Sequence, residues 1–259
     1  SGGNIRVDEV VLASPTVAVV ENPDGSSNLD PILKAQQPAA PGPKATPSAK
    51  SSKPLQIDLK KLAMTDATIR RVKNSANGTH DVAELSHVNI TVDDLKNGQT
   101  GKVALNADVR VENTNGLMQA RLGGDFTFAL AADLKPASIK GSTRLDVSRA
   151  EGALADFTTL GGSLEAEVTP TDIKEAALRF QKGDTRLGEL RVSGPFDMGK
   201  TEGRLNITLA SIDRRLLNLI GAKNGIDFGP TAISSTNLVE LAKGGSVITA
   251  RGRVEVDNF

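Results

Sequence analysis

Residues 118–130 read MQARLGGDFTFAL, and apolar or small residues occupy every second position of this stretch. Arg121, Asp125 and Thr127 lie between them. Because successive side chains of a β-strand point to opposite faces, the stretch predicts a strand with one apolar and one polar face. At about 3.3 Å per residue it would extend roughly 40 Å, whereas a typical strand has about 5 to 6 residues.

The same alternation recurs along residues 55–259. A buried parallel sheet would show continuous apolar runs instead, so the pattern favours antiparallel strands with one solvated face. Turn signals separate the segments, and Asn97-Gly98 and Asn115-Gly116 are the strongest of them. The predicted arrangement is a meander of consecutive hairpins. Further alternating segments begin at Val88, Val103, Ala137, Leu160, Leu190, Leu205 and Ile248. Weaker turn signals occur at Lys135-Pro136, Thr169-Pro170, Lys182-Gly183-Asp184 and Gly244-Gly245.

Three regions divide the chain. Residues 1–35 predict an N-terminal β-hairpin, formed by strands at Ile5–Leu12 and Val17–Glu21, and a short helix from Asn28. Residues 36–54 are rich in Pro, Ala, Ser and Lys and predict a flexible loop. Residues 55–259 hold the main sheet, interrupted by a second short helix at 211–221. Its predicted N-cap is Ser211 and its C-terminal cap is Gly221.

Composition excludes several classes of protein. The chain has 31 basic and 31 acidic residues and no Cys, Trp or Tyr. Equal numbers of opposite charges give no general attraction to nucleic acid, and the absence of Cys excludes disulfides and thiolate metal sites. No apolar run is long enough to span a bilayer.

Catalytic motifs are also missing from the sequence. There is no G-x-S-x-G or phosphate-binding loop, and His80 and His87 lack the spacing of a metal-binding helix. The basic pairs Arg70-Arg71 and Arg214-Arg215 are interpreted as solvated surface residues. We therefore expect no catalytic residue, no metal site, no cofactor and no enzymatic activity.

A sheet with one apolar face must cover that face. A second sheet, packed helices or a bound apolar ligand would each serve, and periodicity alone leaves a closed barrel or sandwich open as an alternative. Two short helices are too little to cover strands this long, whereas a curled sheet would form an apolar trough suited to acyl chains. The predicted fold is mainly β: a long, twisted antiparallel meander sheet curled into an open groove, with two short helices. The predicted lipid-binding residues are Leu105, Val109, Leu122, Phe126, Phe128, Ile139, Leu145, Val147, Leu164, Leu190, Val192, Leu205, Ile207 and Val254.

The N-terminal stretch IRVDEVVLASPTVAVVENPDGSSNLDPIL, residues 5–33, resembles a signature of the AsmA-like family of bacterial envelope proteins. A Pro-rich insert and two strand-like stretches that follow it are also similar to that family. The matching positions are Ser14-Pro15, Val17, Val19, Asn22, Asp24-Gly25, Asn28-Leu29, Ile32-Leu33, Ile57, Leu59, Leu62 and Asp66 to Ile69. The remainder of the chain resembles the family mainly through its alternating strands.

The resemblance implies a periplasmic protein of a Gram-negative-type envelope, usually anchored in the inner membrane by an N-terminal helix. Members are thought to be bridge-like lipid transfer proteins whose β-grooves carry phospholipid between inner and outer membranes. The chain begins Ser1-Gly2-Gly3 without Met, and we expect the anchor to lie outside the given sequence. A chain of 259 residues is too short to bridge an envelope alone, so it would be one segment of a longer groove. The expected partners are phospholipid or another acyl-chain lipid and membrane proteins of both membranes. The alternative is a scaffolding β-module that pairs its strand edges with other envelope proteins and conducts no lipid.

Overall fold

The structure is a computed structural model that describes residues 3–31, 55–222 and 226–258. The predicted loop at 36–54 and the continuation of the predicted first helix beyond Pro31 lie outside the described residues. Thirteen strands form a single sheet. They are β1 (Asn4–Ala13), β2 (Thr16–Glu21), β3 (Gln56–Asn74), β4 (His80–Lys96), β5 (Thr100–Asn113), β6 (Gly116–Leu130), β7 (Pro136–Gly152), β8 (Leu160–Thr169), β9 (Asp172–Lys182), β10 (Thr185–Asp197), β11 (Glu202–Ile212), β12 (Ala232–Ala242) and β13 (Val247–Asp257).

Strands β3 to β13 form the predicted antiparallel meander, in which each strand pairs with the next along the chain. Turns lie where the sequence signals predicted them. Gly98 adopts a φ of 68°, which a residue with a side chain rarely does. Between β5 and β6 the two turn residues are Thr114 and Asn115, and Gly116 already pairs with Asn113.

The predicted N-terminal β-hairpin is wrong. Strands β1 and β2 do not pair with each other, because both lie parallel to β3. Strand β3 has 19 residues and is long enough to pair with both in succession. Ser14, at a φ of 47°, kinks the chain between them while its amide donates to the carbonyl of Thr65 at 2.8 Å. The first two strands therefore extend the main sheet and do not form a separate unit.

A row of β-bulges crosses the sheet. Bulges interrupt the pairing of β3 with β4, of β4 with β5 and of β6 with β7, and Asp66 and His87 there have positive φ values of 53° and 49°. Bulges bend the strands that carry them, and the sheet is curled into an open groove. The most buried apolar side chains near this row are small; we call them the crease: Ala67, Val88, Ala107, Ala120 and Val147.

The groove has two ends and two rims. Among the described strands, β1 and β2, both paired with β3, lie at one end, and β13 lies at the other. One rim, the open rim, consists of the turns at 97–99, 131–135, 170–171, 198–201 and 243–246. The other, the helix rim, carries a 3₁₀ helix (Ala155–Phe157) and helix α1 (Arg214–Ala222). The predicted N-cap Ser211 is wrong: Ile212 still belongs to β11, and the Asp213 carboxylate caps α1 by accepting from the Arg215 amide at 2.8 Å.

Candidate functional site: the apolar face and its rims

Strand pairing places all of the predicted lipid-binding residues on one face of the sheet. Residues paired directly across neighbouring strands share a face. Leu122 lies opposite Leu145, and Val192 lies opposite Ile207. The other predicted positions, Leu105, Val109, Phe126, Phe128, Ile139, Val147, Leu164, Leu190, Leu205 and Val254, follow the same registers from β5 to β13.

No described part of the chain forms a second layer over most of this face. The extensive contacts of each described strand are with its neighbours in the sheet, and the 3₁₀ helix and α1 add smaller contacts at the helix rim. A closed barrel or a sandwich is thereby excluded for this part of the chain. Of the predicted residues only Val147, 5% exposed, is buried, whereas Ile139 and Val254 are 41% and 62% exposed and the others are half-buried.

An apolar depression follows the open rim. The depression comprises a cavity of about 440 Å³ and an adjoining cavity of about 300 Å³. A separate cavity of about 500 Å³ lies at the helix rim. The larger cavity of the depression is lined only by apolar residues, Phe126 and Phe128 among them, and its two cavities share Pro136 and Ile139. Each has the size at which small-molecule sites begin, and Lys135 of the smaller cavity is the one charged residue among the described residues that line the two.

Glycines opposite phenylalanines keep the groove open. Gly141 pairs with Phe126, and a Cβ built at Gly141 would lie 2.7 Å from Cδ1 of that ring. Gly203 pairs with Phe196, and a Cβ there would lie 3.1 Å from Cδ2 of that ring. Each ring therefore lies along the sheet over a glycine, which leaves the space above the face free. No local pattern in the sequence indicates this pairing.

The helix rim carries packed apolar clusters. Phe157 packs against the cluster of Ala120, Val147 and Ala150. Helix α1 packs through Leu216 on Leu187 and Ile212. Leu160 contacts both clusters and so connects the cluster beneath the 3₁₀ helix with the cluster beneath α1.

The cavity of about 500 Å³ lies between the 3₁₀ helix and α1. It combines apolar walls with charged side chains, Lys182, Arg214 and Arg215 on one hand and Asp156 and Asp227 on the other. The interpretation of Arg214-Arg215 as only a solvated pair is incomplete, because both arginines line this cavity. Its residues come from five separate stretches of the chain, so no local sequence pattern predicts this cavity.

The opposite face of the sheet carries ion pairs between strands. Glu189 is nearly fully buried, and its carboxylate contacts the guanidinium groups of Arg179 at 3.2 Å, Arg191 at 2.5 Å and Arg186. Burial alone would raise the pKa of Glu189, but the hydrogen bond and charge of Arg191, with the charges of Arg186 and Arg179, hold it below its ordinary value.

A second carboxylate on this face is held by two lysines. Glu167 lies 2.8 Å from Lys140 and 2.7 Å from Lys174, both through carboxylate oxygens and Nζ. Hydrogen bonds from Lys140 and then Lys174 lower the pKa of Glu167 to about 2. These groups hold neighbouring strands together on the solvated face, away from the apolar one.

In the described ranges no group of three or more His, Asp or Glu side chains could hold a metal ion. His80 and His87 lie seven residues apart on β4, roughly 23 Å along the strand, and His87 lies 3.1 Å from Asp108. No described helix is both long and apolar enough to cross a membrane.

Comparison of the chain with models of protein families, with characterised proteins and with solved structures found no match. The resemblance to the AsmA-like family therefore remains a prediction from the sequence.

Proposed function

We propose that this chain is a non-enzymatic lipid-binding module whose apolar face holds the acyl chains of phospholipids. The observation that carries the proposal is the uncovered apolar face. Large side chains such as Phe126 and Phe128 line a depression that no other part of the described chain fills. Burying such a face in bound hydrocarbon removes it from water, which is the usual fate of an extended apolar patch on a soluble protein.

The dimensions of the groove suit acyl chains. Neighbouring strands lie about 4.8 Å apart, so the path from β3 to β13 measures roughly 50 Å. A single acyl layer is about 15 Å deep, half the hydrocarbon core of a bilayer. Several lipids therefore fit along the face. Each buried CH₂ contributes about 0.8 kcal/mol, so a chain of ordinary length binds without any specific polar contact.

The resemblance to the AsmA-like family supports the further proposal that the module carries phospholipid between the inner and outer membranes. In this proposal the chain is one section of a longer groove in the periplasm, anchored at the inner membrane by a segment outside the given sequence. An apolar face that is continuous from strand to strand is compatible with lipids moving along it.

The test is to place charges on the apolar face. Leu122→Asp, Phe126→Asp and Leu145→Asp each put a carboxylate against the hydrocarbon path, and Thr127→Asp puts the same charge on the solvated face. Phospholipid that co-purifies from a bacterial host is quantified by mass spectrometry, and contact with lipid is measured by photo-crosslinking. We expect the three variants to lose lipid while folded and Thr127→Asp to retain it. Wild-type protein that carries no lipid would overturn the proposal.

A scaffolding function is the second candidate, and the edge strand β13 favours it. All 11 residues of β13 are exposed, and one edge of the strand has no partner among the described strands. An open edge of this kind can accept a strand from another protein. Proline substitutions along β13 that abolish assembly with envelope proteins but leave the lipid content unchanged would favour this candidate over lipid transfer.

A further inference from the structure

We propose that the charged cavity at the helix rim binds the headgroup of a phospholipid that carries both a phosphate and a primary amine. The inference rests on the proposed lipid-binding function and adds a headgroup preference to it. The cavity lies between the 3₁₀ helix and α1 and has a volume of about 500 Å³. That space accommodates a headgroup of this size.

The cavity adjoins the apolar face. Leu187, which is completely buried, forms part of its lining, and Phe157 and Ile226 contribute further apolar surface. Leu160 packs against the clusters on both sides and lies in register with Lys182 of the cavity. A lipid with its headgroup here therefore has apolar surface beneath it on which its acyl chains can lie.

Three cations supply donors for a phosphate. Lys182 uses one of its three protons, donating from Nζ to the main-chain oxygen of Asp156 at 2.7 Å. Arg215 donates to the Asp213 carboxylate from Nε at 2.8 Å and from Nη2 at 3.2 Å, which leaves Nη1 available. Arg214 forms no ion pair with any described residue. Guanidinium and ammonium groups in this number are suited to a phosphate, which accepts several charge-assisted hydrogen bonds.

Two carboxylates line the same cavity. Asp156 belongs to the 3₁₀ helix, and Asp227 accepts the Gly229 amide through Oδ1 at 2.8 Å, which leaves Oδ2 available. These carboxylates, which lie in the same cavity as the three cations, can accept hydrogen bonds from the N–H groups of a primary ammonium. They also repel a headgroup that carries only negative charge. A trimethylammonium group has no N–H to donate. The cavity therefore favours an ethanolamine headgroup over glycerol or choline.

The experiment uses the full chain and an equimolar mixture of phosphatidylethanolamine, phosphatidylglycerol and phosphatidylcholine with identical acyl chains. Bound lipid is quantified by mass spectrometry. We expect phosphatidylethanolamine to be enriched about threefold, the factor that a partly exposed ion pair provides. Asp156→Asn combined with Asp227→Asn should abolish the enrichment without lowering total lipid, and Lys182→Gln combined with Arg214→Gln should lower phospholipid bound at this cavity.

Control variants make the same kinds of substitution on the solvated face, one charge at a time. Asp125→Asn and Lys102→Gln are exposed there and should leave the headgroup ratio unchanged. Groove binding with no headgroup preference, or a preference that survives Asp156→Asn with Asp227→Asn, overturns this inference and leaves the proposed function standing. A chain that binds no lipid overturns both. If glycerophosphoethanolamine without acyl chains binds as tightly as the lipid, the cavity is a site for a soluble ligand and the inference fails.

Discussion

The side chain of Asn89 holds the bulge of the neighbouring strand at Asp66. Its Oδ1 accepts the Asp66 amide at 3.0 Å, and its Nδ2 donates to the carbonyl of His87 at 2.8 Å and to the side chain of Asn106 at 3.0 Å. One half-buried amide thus joins β3, β4 and β5 at the row where the sheet bends. The curvature of the groove depends on this polar cluster as well as on the small residues of the crease.

Removal of this amide should destabilise the fold. Asn89→Ala leaves the Asp66 amide without its partner, and we expect a loss of about 1 to 2 kcal/mol in the free energy of unfolding, measured in urea. Asn106→Ala removes only one of the three hydrogen bonds and should cost less than half as much. Equal costs for the two variants would mean that Asn89 does not hold the bulge.

Glu189 should be the most costly carboxylate to neutralise. Its side chain is buried among three arginines, and we expect Glu189→Gln to lower the free energy of unfolding by about 1.5 to 3 kcal/mol. Glu175 contacts the same Arg191 at 3.5 Å but is half exposed. Glu175→Gln should therefore change stability by no more than about 0.5 kcal/mol. A comparable cost for both variants would contradict the assignment of the stabilisation to the buried carboxylate.

Stability should fall in acid through two carboxylates on the solvated face. The pKa of Glu189 and that of Glu167, about 2, both lie below the ordinary value of 4.5 in the folded chain. The unfolded chain therefore takes up protons first as the pH falls, so the stabilisation is complete above about 4.5 and disappears as the pH drops through the folded-state values.

Unfolding in urea at a series of pH values measures this effect. The difference in stability between wild type and Glu167→Gln should be constant above pH 5 and decline between about 4.5 and 2. A difference that grows as the pH falls would show that the sign of the linkage is wrong.

Gly141 and Gly162 should respond oppositely to alanine. A Cβ at Gly141 would lie 2.6 Å from the Cα of Phe126, so the backbone must shift and Gly141→Ala should destabilise the chain. At Gly162 a Cβ meets no atom within 4 Å, and Gly162→Ala should stabilise by about 0.5 to 1 kcal/mol because alanine restricts the unfolded chain. Thermal unfolding followed by circular dichroism compares the two. Stabilisation by both variants would show that Phe126 does not require the glycine beneath it.

Position within the groove should decide whether a new charge unfolds the chain. Val147 is buried in the crease, and Val147→Asp should cost about 3 kcal/mol or more and abolish the cooperative transition. Phe126 is half-buried beside an open depression, so Phe126→Asp should retain the fold. If both variants unfold, Phe126 belongs to an ordinary core and its surface is not available to a ligand.

The sheet, its meander and most of its turns could be predicted because they are local properties. Alternation along residues 118–130 depends on the geometry of a single strand, and Asn97-Gly98 is a local turn signal, although the Asn97 side chain also accepts the distant Ile57 amide at 2.7 Å. Every predicted groove residue lies on one face for the same reason, since the pairing of neighbouring hairpins preserves the alternation.

Features that depend on distant residues could not be predicted. The two alternating stretches before Asn22 have the pattern of a hairpin. In the structure each of them pairs in parallel with β3, and the chain kinks at Ser14 between the two. The helix-rim cavity brings Asp156, Lys182 and Arg214 together through the folding of separate strands. The local pattern of a single sequence does not show which distant residues the fold brings together.

The edge strand β13 has a consequence for how a fold of this type can vary in length. Each described strand packs mainly on its neighbours in the sheet, and one more hairpin would bind β13 as β13 binds β12. Such an addition lengthens the groove by about 10 Å, two strand spacings, without changing its cross-section. The length of the groove and its cross-section are therefore independent in this architecture. Duplication of hairpins can lengthen the groove during evolution while its cross-section stays the same.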